Sequence, residues 1–162
     1  MFSQDLRARA ETLLAAARAK GLRIATAESC TGGLIAGLLT EIPGSSDVVE
    51  RGFVTYSNQA KEEMLGVPGA MLRQHGAVSE TVARAMAEGA IRNSTAQLSV
   101  AVTGIAGPGG GTDEKPVGLV HIAAARAGEA TLHRECRFGD IGRSEIRLAT
   151  ITAALELLQS LV

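Results

Sequence analysis

The sequence predicts a single α/β domain in which helices cover both faces of a mixed β-sheet. Its 162 residues amount to one domain, and 46% of them are hydrophobic, which is enough to form a core. Helical and strand-like segments alternate along most of the chain, and a pair of strand-like segments follows near the end. No internal repeat and no linker interrupts this order, so we expect residues 1–162 to form one domain.

In the first third of the chain, helices and strands are predicted in turn. Apolar residues recur every three or four positions in 3–20, which predicts an amphipathic helix that ends at Gly21. The apolar run 22–27 predicts a strand. A second helix is expected over 31–41, where the sequence Ile-Pro-Gly ends it, and a second strand is expected over 48–56.

The rest of the chain adds helices, a central strand and a late strand pair. Ser79 is typical of a helix N-cap and has Glu80 in the first turn behind it, whereas His75 precedes Gly76 and is expected in a turn. The predicted elements are helices over 58–65, from Ser79 to about 92 and over 143–160, strands over 97–103, 117–125 and 130–138, and a glycine- and proline-rich loop over 104–116.

Composition and charge narrow the classes of partner. Lysine and arginine number 16 against 17 aspartate and glutamate, so the net charge is −1 and no excess of basic residues points to nucleic acid or to an anionic membrane. Four aromatic residues give little material for stacking on bases. We therefore expect neither a nucleic-acid nor a membrane partner, and a bound nucleotide would be held mainly by backbone, hydroxyls and charge.

Metal and export signals are also missing from the sequence. Cys30 and Cys136 cannot form a zinc site alone, and the three histidines lack the spacing of metal ligands, so we expect no metal and no cofactor. The N-terminal residues carry charges where a signal peptide needs an apolar run, and no apolar stretch reaches about 18 residues. The expected location is the cytoplasm.

The first candidate site is the sequence TAESCTGG at 26–33, where a strand gives way to a helix. A nucleophile at Ser29 would meet unpaired N–H groups of the helix N-terminus around Thr31, Gly32 and Gly33, which can hold an oxyanion or a phosphate. The alternative is that Ser29 or Thr31 simply caps the helix. Cys30 is a competing nucleophile, although no histidine lies nearby in sequence to activate it.

The second candidate site is GFVTYSNQAK at 52–61. A lysine loses its proton near neutral pH when it is desolvated, so Lys61 could accept a proton from a serine hydroxyl. Tyr56 could relay that proton or stack on a ring. An exposed helix lysine and a strand tyrosine packed partly in the core are the alternatives.

Two further segments could bind an anion. The glycine-rich sequence 102–118 follows a strand, which is where α/β sheets bind ligands, and it brings Thr103 and Gly104. The last helix begins with Arg143 and Arg147, and a guanidinium suits a phosphate group through its planar fork. We prefer Arg147 because it lies deeper in the helix. A flexible turn and solvent-exposed arginines remain the alternatives.

These segments together resemble the CinA C-terminal domain family, which includes stand-alone bacterial nicotinamide-nucleotide amidohydrolases. The resemblance runs from about residue 5 to residue 160. The motifs that carry it, in order, are TAESCTGG, RGFVTYSNQAK, HGAVS, TGIAGPGGGTDEKPVG and the arginine-containing start of the final helix.

The resemblance implies a three-layer α/β/α fold and an activity. The activity is hydrolysis of nicotinamide mononucleotide, a small pyridine nucleotide, to nicotinate mononucleotide and ammonia, without a metal. Ser29 would be the nucleophile, Lys61 its base and Tyr56 an assistant, with no departure from the family at these positions. We add that Thr103, Gly104 and Arg147 would hold the ribose and phosphate.

Two other functions stay open at this point. A nucleotide phosphohydrolase would use the glycine-rich loop and Arg147, with Mg²⁺ at a carboxylate cluster for which Asp113 and Glu114 are candidates. A regulatory binding module linked to competence or DNA damage would need no convergence of Ser29 and Lys61. The last helix is apolar on most sides, which fits either burial in the core or a homodimer face.

Overall fold

A five-stranded mixed sheet runs through the middle of the molecule. The computed structural model describes residues 1–162. The strands lie in the order β2-β1-β3-β4-β5; β1 is parallel to β2 and β3, and β4 is antiparallel to β3 and β5. Their bounds are β1 Ile24–Glu28, β2 Val49–Val54, β3 Leu98–Gly104, β4 Leu119–Arg126 and β5 Leu132–Arg137.

Six helices cover the two faces of this sheet. The larger apolar core joins one face to α1, α2 and α6, and the smaller core joins the opposite face to α3, α4 and α5. The predicted α/β fold with three layers is therefore confirmed. The bounds are α1 Gln4–Ala19, α2 Leu34–Glu41, α3 Asn58–Leu65, α4 Gly69–His75, α5 Glu80–Arg92 and α6 Arg143–Gln159.

The two cores follow from the alternation of side chains along the buried strands. In β3, Val100 and Val102 belong to the larger core, whereas Ala101 between them belongs to the smaller one. Because alanine is small, the side chain of Ala101 adds little depth to the core between β3 and α5. Both faces of β3 are covered, as its nearly uniform burial shows.

One α-helix was not predicted from the sequence. His75 is not in a turn but in the last turn of α4, a helix of seven residues between Pro68 and Gly76. A helix of two turns flanked by proline and glycine gives too little periodicity to recognise. The second predicted helix also begins later than expected, at Leu34, because Gly32 and Gly33 have left-handed φ values of 60° and 98°.

The sheet topology gathers three strand ends at one edge. The carboxyl ends of β1, β2 and β3 lie side by side because these strands are parallel. Beyond the paired residues, the Thr55 N–H donates to the Glu28 carbonyl, and the Ser29 N–H donates to the Val102 carbonyl. The segments after β1 and β2 therefore leave the sheet next to one another. No helix of the molecule is long and apolar enough to cross a membrane.

Candidate active site

The turn after β1 presents Ser29 at this edge. Ser29 is partly buried, and its backbone is fixed by the bond to Val102 in the neighbouring strand. Gly32 and Gly33 then reverse the chain into α2. Their positive φ values are strained for any residue with a side chain, so glycine is the residue that this turn requires.

The side chain of Lys61 extends to Ser29 from α3, the helix that follows β2. It lies in the second turn of α3, a helix capped by the Ser57 hydroxyl, which accepts a bond from the Ala60 N–H at 3.0 Å. The Lys61 Nζ is 3.1 Å from the Ser29 Oγ and 2.7 Å from the Thr55 carbonyl oxygen. The structure thus brings together the two residues that the sequence left 32 positions apart.

Burial lowers the pKa of Lys61. The residue is only 1% exposed and forms no ion pair with a carboxylate. Desolvation therefore lowers the pKa of Lys61 from its ordinary value, and the neighbouring Cys30 opposes this shift only in part. A neutral amine within hydrogen-bond reach of a serine hydroxyl has the geometry of a general base and its nucleophile.

Cys30 does not have the properties of a competing nucleophile. It is buried, and burial raises the pKa of its thiol to about 12, with the Glu28 charge acting in the same direction. Arg147 and Lys61 lower the pKa of this thiol, but by less. Because the thiolate is the reactive form, a thiol that stays protonated is inert.

Glu28 is a functional candidate that the sequence analysis missed. Its side chain is fully buried at the end of β1 and accepts four hydrogen bonds from the turn and from the start of α2. The donors are the Thr31 hydroxyl at 2.6 Å and the backbone N–H groups of Gly33 at 3.1 Å, Ile35 at 3.0 Å and Ala36 at 2.8 Å. A glutamate that ends an otherwise apolar, buried strand was the available signal.

The turn leaves a different set of N–H groups free than we expected. The Gly33 N–H is bound to Glu28, and the Gly32 N–H donates to the Ser29 carbonyl. The N–H groups of Cys30 and Thr31, however, have no acceptor within the protein. Of the three predicted residues only Thr31 has an unpaired N–H; Thr31 is fully buried, and its hydroxyl is already bound to Glu28.

Two arginines of α6 have no carboxylate partner, and one of them, Arg147, contacts this turn. Arg147 donates from Nη2 to the Thr31 carbonyl at 2.9 Å, and its Nε is buried without an acceptor. Arg143 donates to the Gly107 carbonyl at 2.8 Å and to the Tyr56 hydroxyl at 3.0 Å. Each guanidinium thus binds only neutral oxygens, which leaves two positive charges available to an anion.

Tyr56 is exposed and forms no hydrogen bond with the Ser29–Lys61 pair. Its side chain is 62% exposed, and its hydroxyl bonds to Arg143 and to neither Ser29 nor Lys61. The ring is therefore open to a ligand, while its hydroxyl is tied to α6.

Thr103 and Gly104 support the fold around the site. The Thr103 side chain is buried, and its hydroxyl donates to the Ala77 carbonyl at 2.8 Å. A Cβ at Gly104 would lie 2.6 Å from the Val120 side chain, so glycine is needed there for packing against β4. Asp113 and Glu114 are exposed, and no group of three or more His, Cys, Asp or Glu side chains is placed to hold a metal ion.

Comparison with known proteins finds a matching family and several similar sequences. A family model described as CinA C-terminal domain matches residues 6–162. The protein named nicotinamide-nucleotide amidohydrolase PncC from Escherichia coli strain K12 is 48% identical over 159 residues, which cover 98% of this chain and 95% of that protein. A putative competence-damage inducible protein from Caldicellulosiruptor bescii is 47% identical over 160 residues, which cover 98% of this chain and 38% of that protein.

Solved structures agree with the fold. The competence/damage inducible protein CihA from Agrobacterium tumefaciens has a TM-score of 0.98 and 57% identity, with 99% of this chain and 98% of that chain covered. A CinA superfamily protein from Escherichia coli has a TM-score of 0.92 and 34% identity, with coverage of 100% and 94%. The chain spans about a third of the length of the first curated relatives that it matches.

Proposed function

The chain belongs to the CinA C-terminal domain family, and on that basis we propose that it hydrolyses the carboxamide of nicotinamide mononucleotide. The products are nicotinate mononucleotide and ammonia. The name of the Escherichia coli relative, which matches this chain over nearly its whole length, supports this substrate. The observation that carries the proposal is the 3.1 Å contact between the Ser29 Oγ and the buried amine of Lys61.

The first half of the proposed reaction forms an acyl-enzyme. Neutral Lys61 takes the proton of the Ser29 hydroxyl while the Oγ attacks the carboxamide carbon. The resulting oxyanion is bound by the unpaired N–H groups of Cys30 and Thr31, and a donor of this kind is typically worth about 3 kcal/mol. The tetrahedral intermediate then collapses, the C–N bond breaks, and Lys61 returns its proton to the departing ammonia.

The second half releases the acid. A water molecule gives a proton to Lys61 and attacks the acyl carbon, and the ester bond to Ser29 breaks as the Oγ recovers that proton. Lys61 is neutral again at the end of the cycle. The Thr55 carbonyl holds the Lys61 amine in place throughout, since it accepts one of its N–H bonds at 2.7 Å.

The nucleotide's phosphate is assigned to the arginines of α6. Arg147 and Arg143 lie four residues apart on one helix face without a carboxylate partner, and Arg147 contacts the Ser29 turn. The exposed ring of Tyr56 is suited to pack against the pyridine ring. Because Thr103 and Gly104 are engaged in packing, we assign them the support of the glycine-rich loop that borders the site rather than direct contact with the ribose or phosphate.

The remaining sequence predictions concern the oligomeric state, the location and the partners of the protein rather than its reaction. A homodimer, the cytoplasm as the location and the absence of nucleic-acid partners stay predictions, as does a regulatory partner linked to competence or DNA damage. None of them is needed for the proposed reaction.

An ammonia-release assay tests the proposal. The wild-type protein should release ammonia from nicotinamide mononucleotide at equal rates with and without a chelator, and Ser29→Ala should release none while still binding the substrate. An active Ser29→Ala variant would remove the nucleophile from the mechanism. Phosphate release that stops with the chelator would favour the phosphohydrolase, and binding without any ammonia would favour the regulatory module.

A further inference from the structure

The buried carboxylate of Glu28 is not used by the proposed reaction. It has no lysine, arginine or histidine partner, although it is fully buried. All of its partners are hydrogen-bond donors of the residues that follow it. Oε2 accepts from the Thr31 hydroxyl and from the N–H groups of Gly33 and Ile35, and Oε1 accepts from the N–H group of Ala36.

This arrangement fills the N-terminus of α2. The N-cap residue of α2 is Gly33, which has no side chain to accept the free N–H groups of the first turn. Glu28, at the end of β1, accepts hydrogen bonds from these N–H groups instead. The strongest anion-binding position of α2 is therefore occupied by the protein's own carboxylate, and neither an oxyanion nor a phosphate can use it.

The same bonds fix the turn that carries the nucleophile. Glu28 holds Thr31 and Gly33 on the inner side of the turn, while Arg147 holds the Thr31 carbonyl on the other side. Ser29 stands directly between Glu28 and the first open N–H group, that of Cys30. A shift of the turn would therefore move the hydroxyl and both open N–H groups together.

We propose that Glu28 is a positioning residue, whose carboxylate fastens the 29–33 turn to the first turn of α2. It thereby holds the Ser29 hydroxyl at Lys61 and leaves the Cys30 and Thr31 N–H groups as the oxyanion donors. The inference rests on the proposed amidase function and adds a residue to it. Glu28 acts through the turn and touches no reacting atom.

Glu28 should act on geometry and not on the base. The lowered pKa of Lys61 comes from burial, Cys30 opposes that shift, and Glu28 is not among its causes. Removing the Glu28 charge should therefore leave the pH dependence of the reaction in place. A misplacement of about 1 Å can cost about 100-fold in rate, so the effect is expected in kcat.

Glu28→Gln is the substitution that tests this role. The amide keeps the shape of the side chain but turns one acceptor into a donor that faces an N–H group. We expect kcat for ammonia release to fall about 100-fold, the KM to change by less than about threefold, and the acid limb of the pH profile to stay at its wild-type position. Thr31→Val, which removes only the hydroxyl donor, should lower kcat by about tenfold.

Glu41→Gln is the matched control, because Glu41 ends the same helix and pairs with Arg7 away from the site. It should leave kcat unchanged. A lower melting temperature with wild-type kcat in Glu28→Gln would show a structural role only, and a displaced acid limb would show an effect on the base; either result overturns the inference. Should Glu28→Gln fail to fold, the Thr31→Val result decides in the same way. Activity in Ser29→Ala would instead overturn the proposed function.

Discussion

Three helices of this molecule begin directly after a serine that caps them, whereas Ser29 lies in the turn before α2 and has a different partner. Before α5, the Ser79 hydroxyl accepts a bond from the Val82 N–H at 3.3 Å and donates to the Gly76 carbonyl at 2.9 Å. Before α2, the Ser29 hydroxyl lies 3.1 Å from the Lys61 amine and caps nothing. Ser3 and Ser57 behave like Ser79, so Ser29 is the exception.

The difference shows what a serine needs before it can serve as a nucleophile at a helix start. A helix leaves N–H groups that some acceptor must satisfy, and serine is among the side chains that usually do so. At α2 the Glu28 carboxylate takes over that task, so the Ser29 hydroxyl is free to face the base. The capping interpretation of Ser29, open from the sequence, does not describe this helix.

Of the substitutions considered, replacing Lys61 should have the largest effect on activity, because it removes the partner that distinguishes Ser29 from the capping serines. In Lys61→Met we expect kcat to fall by about 10³-fold or more, because the Ser29 hydroxyl loses its proton acceptor. The free energy of unfolding at pH 7 should rise by about 1 kcal/mol, because methionine carries no charge that burial penalises. Ammonia release and differential scanning calorimetry measure the two effects.

The sign of the stability change can be checked by pH. The folded-state pKa of Lys61 is lowered, so between that pKa and about 10.4 the unfolded chain binds more protons, and wild-type stability rises with pH. The advantage of Lys61→Met should therefore shrink toward pH 10. Lys20→Met, at an exposed position, should change neither activity nor stability. A destabilised Lys61→Met variant would contradict the burial argument.

The pH dependence of kcat in the wild-type protein tests whether Lys61 is the base for Ser29. Burial lowers the pKa of Lys61, and the neutral amine is the active form, so kcat should rise with pH through a group that titrates below about 10.4. At saturating substrate the profile reports groups of the enzyme–substrate complex and not the ionisation of free nucleotide. The same limb should appear in Ser79→Ala, since that serine lies outside the site. A rate that falls as the pH rises through neutrality would speak against a lysine base.

Most of the fold could be predicted from periodicity, because long amphipathic helices and buried strands leave clear patterns. The exception is α4, whose seven residues between Pro68 and Gly76 are too few to show one. The sheet order could not be derived from local patterns either. It depends on which strands pair, and the parallel pairing of β1 with β2 is what carries Lys61 to Ser29.

Several residues of the site could be predicted from the sequence, but the hydrogen bonds between them could not. Ser29, Lys61 and Arg147 were found through residue type and through resemblance to a family. Glu28 was not predicted because, next to a candidate serine, it looks like an ordinary strand residue, and only tertiary contacts reveal its four donors. The bond from Arg143 to Tyr56 spans 87 positions, which no local spacing rule could anticipate.

The smallest expected effect gives the cleanest test of the serine comparison, because it concerns stability alone. Ser79→Ala should lower the free energy of unfolding by about 1 kcal/mol, or about 3 °C in melting temperature, since the Val82 N–H loses its acceptor. Ser29→Ala should cost less than about 0.5 kcal/mol, because Glu28 still caps α2. Activity should show the reverse order, with Ser79→Ala close to wild type.

Thermal unfolding of both variants under one buffer condition decides the matter. Equal losses of stability would mean that Ser29 also supports its helix and that the division of labour with Glu28 is not real. A loss confined to Ser79→Ala would mean that Ser29 contributes almost nothing to the fold. Its place beside Lys61 would then be explained by the reaction, because the Ser29 side chain has no other hydrogen bond to account for it.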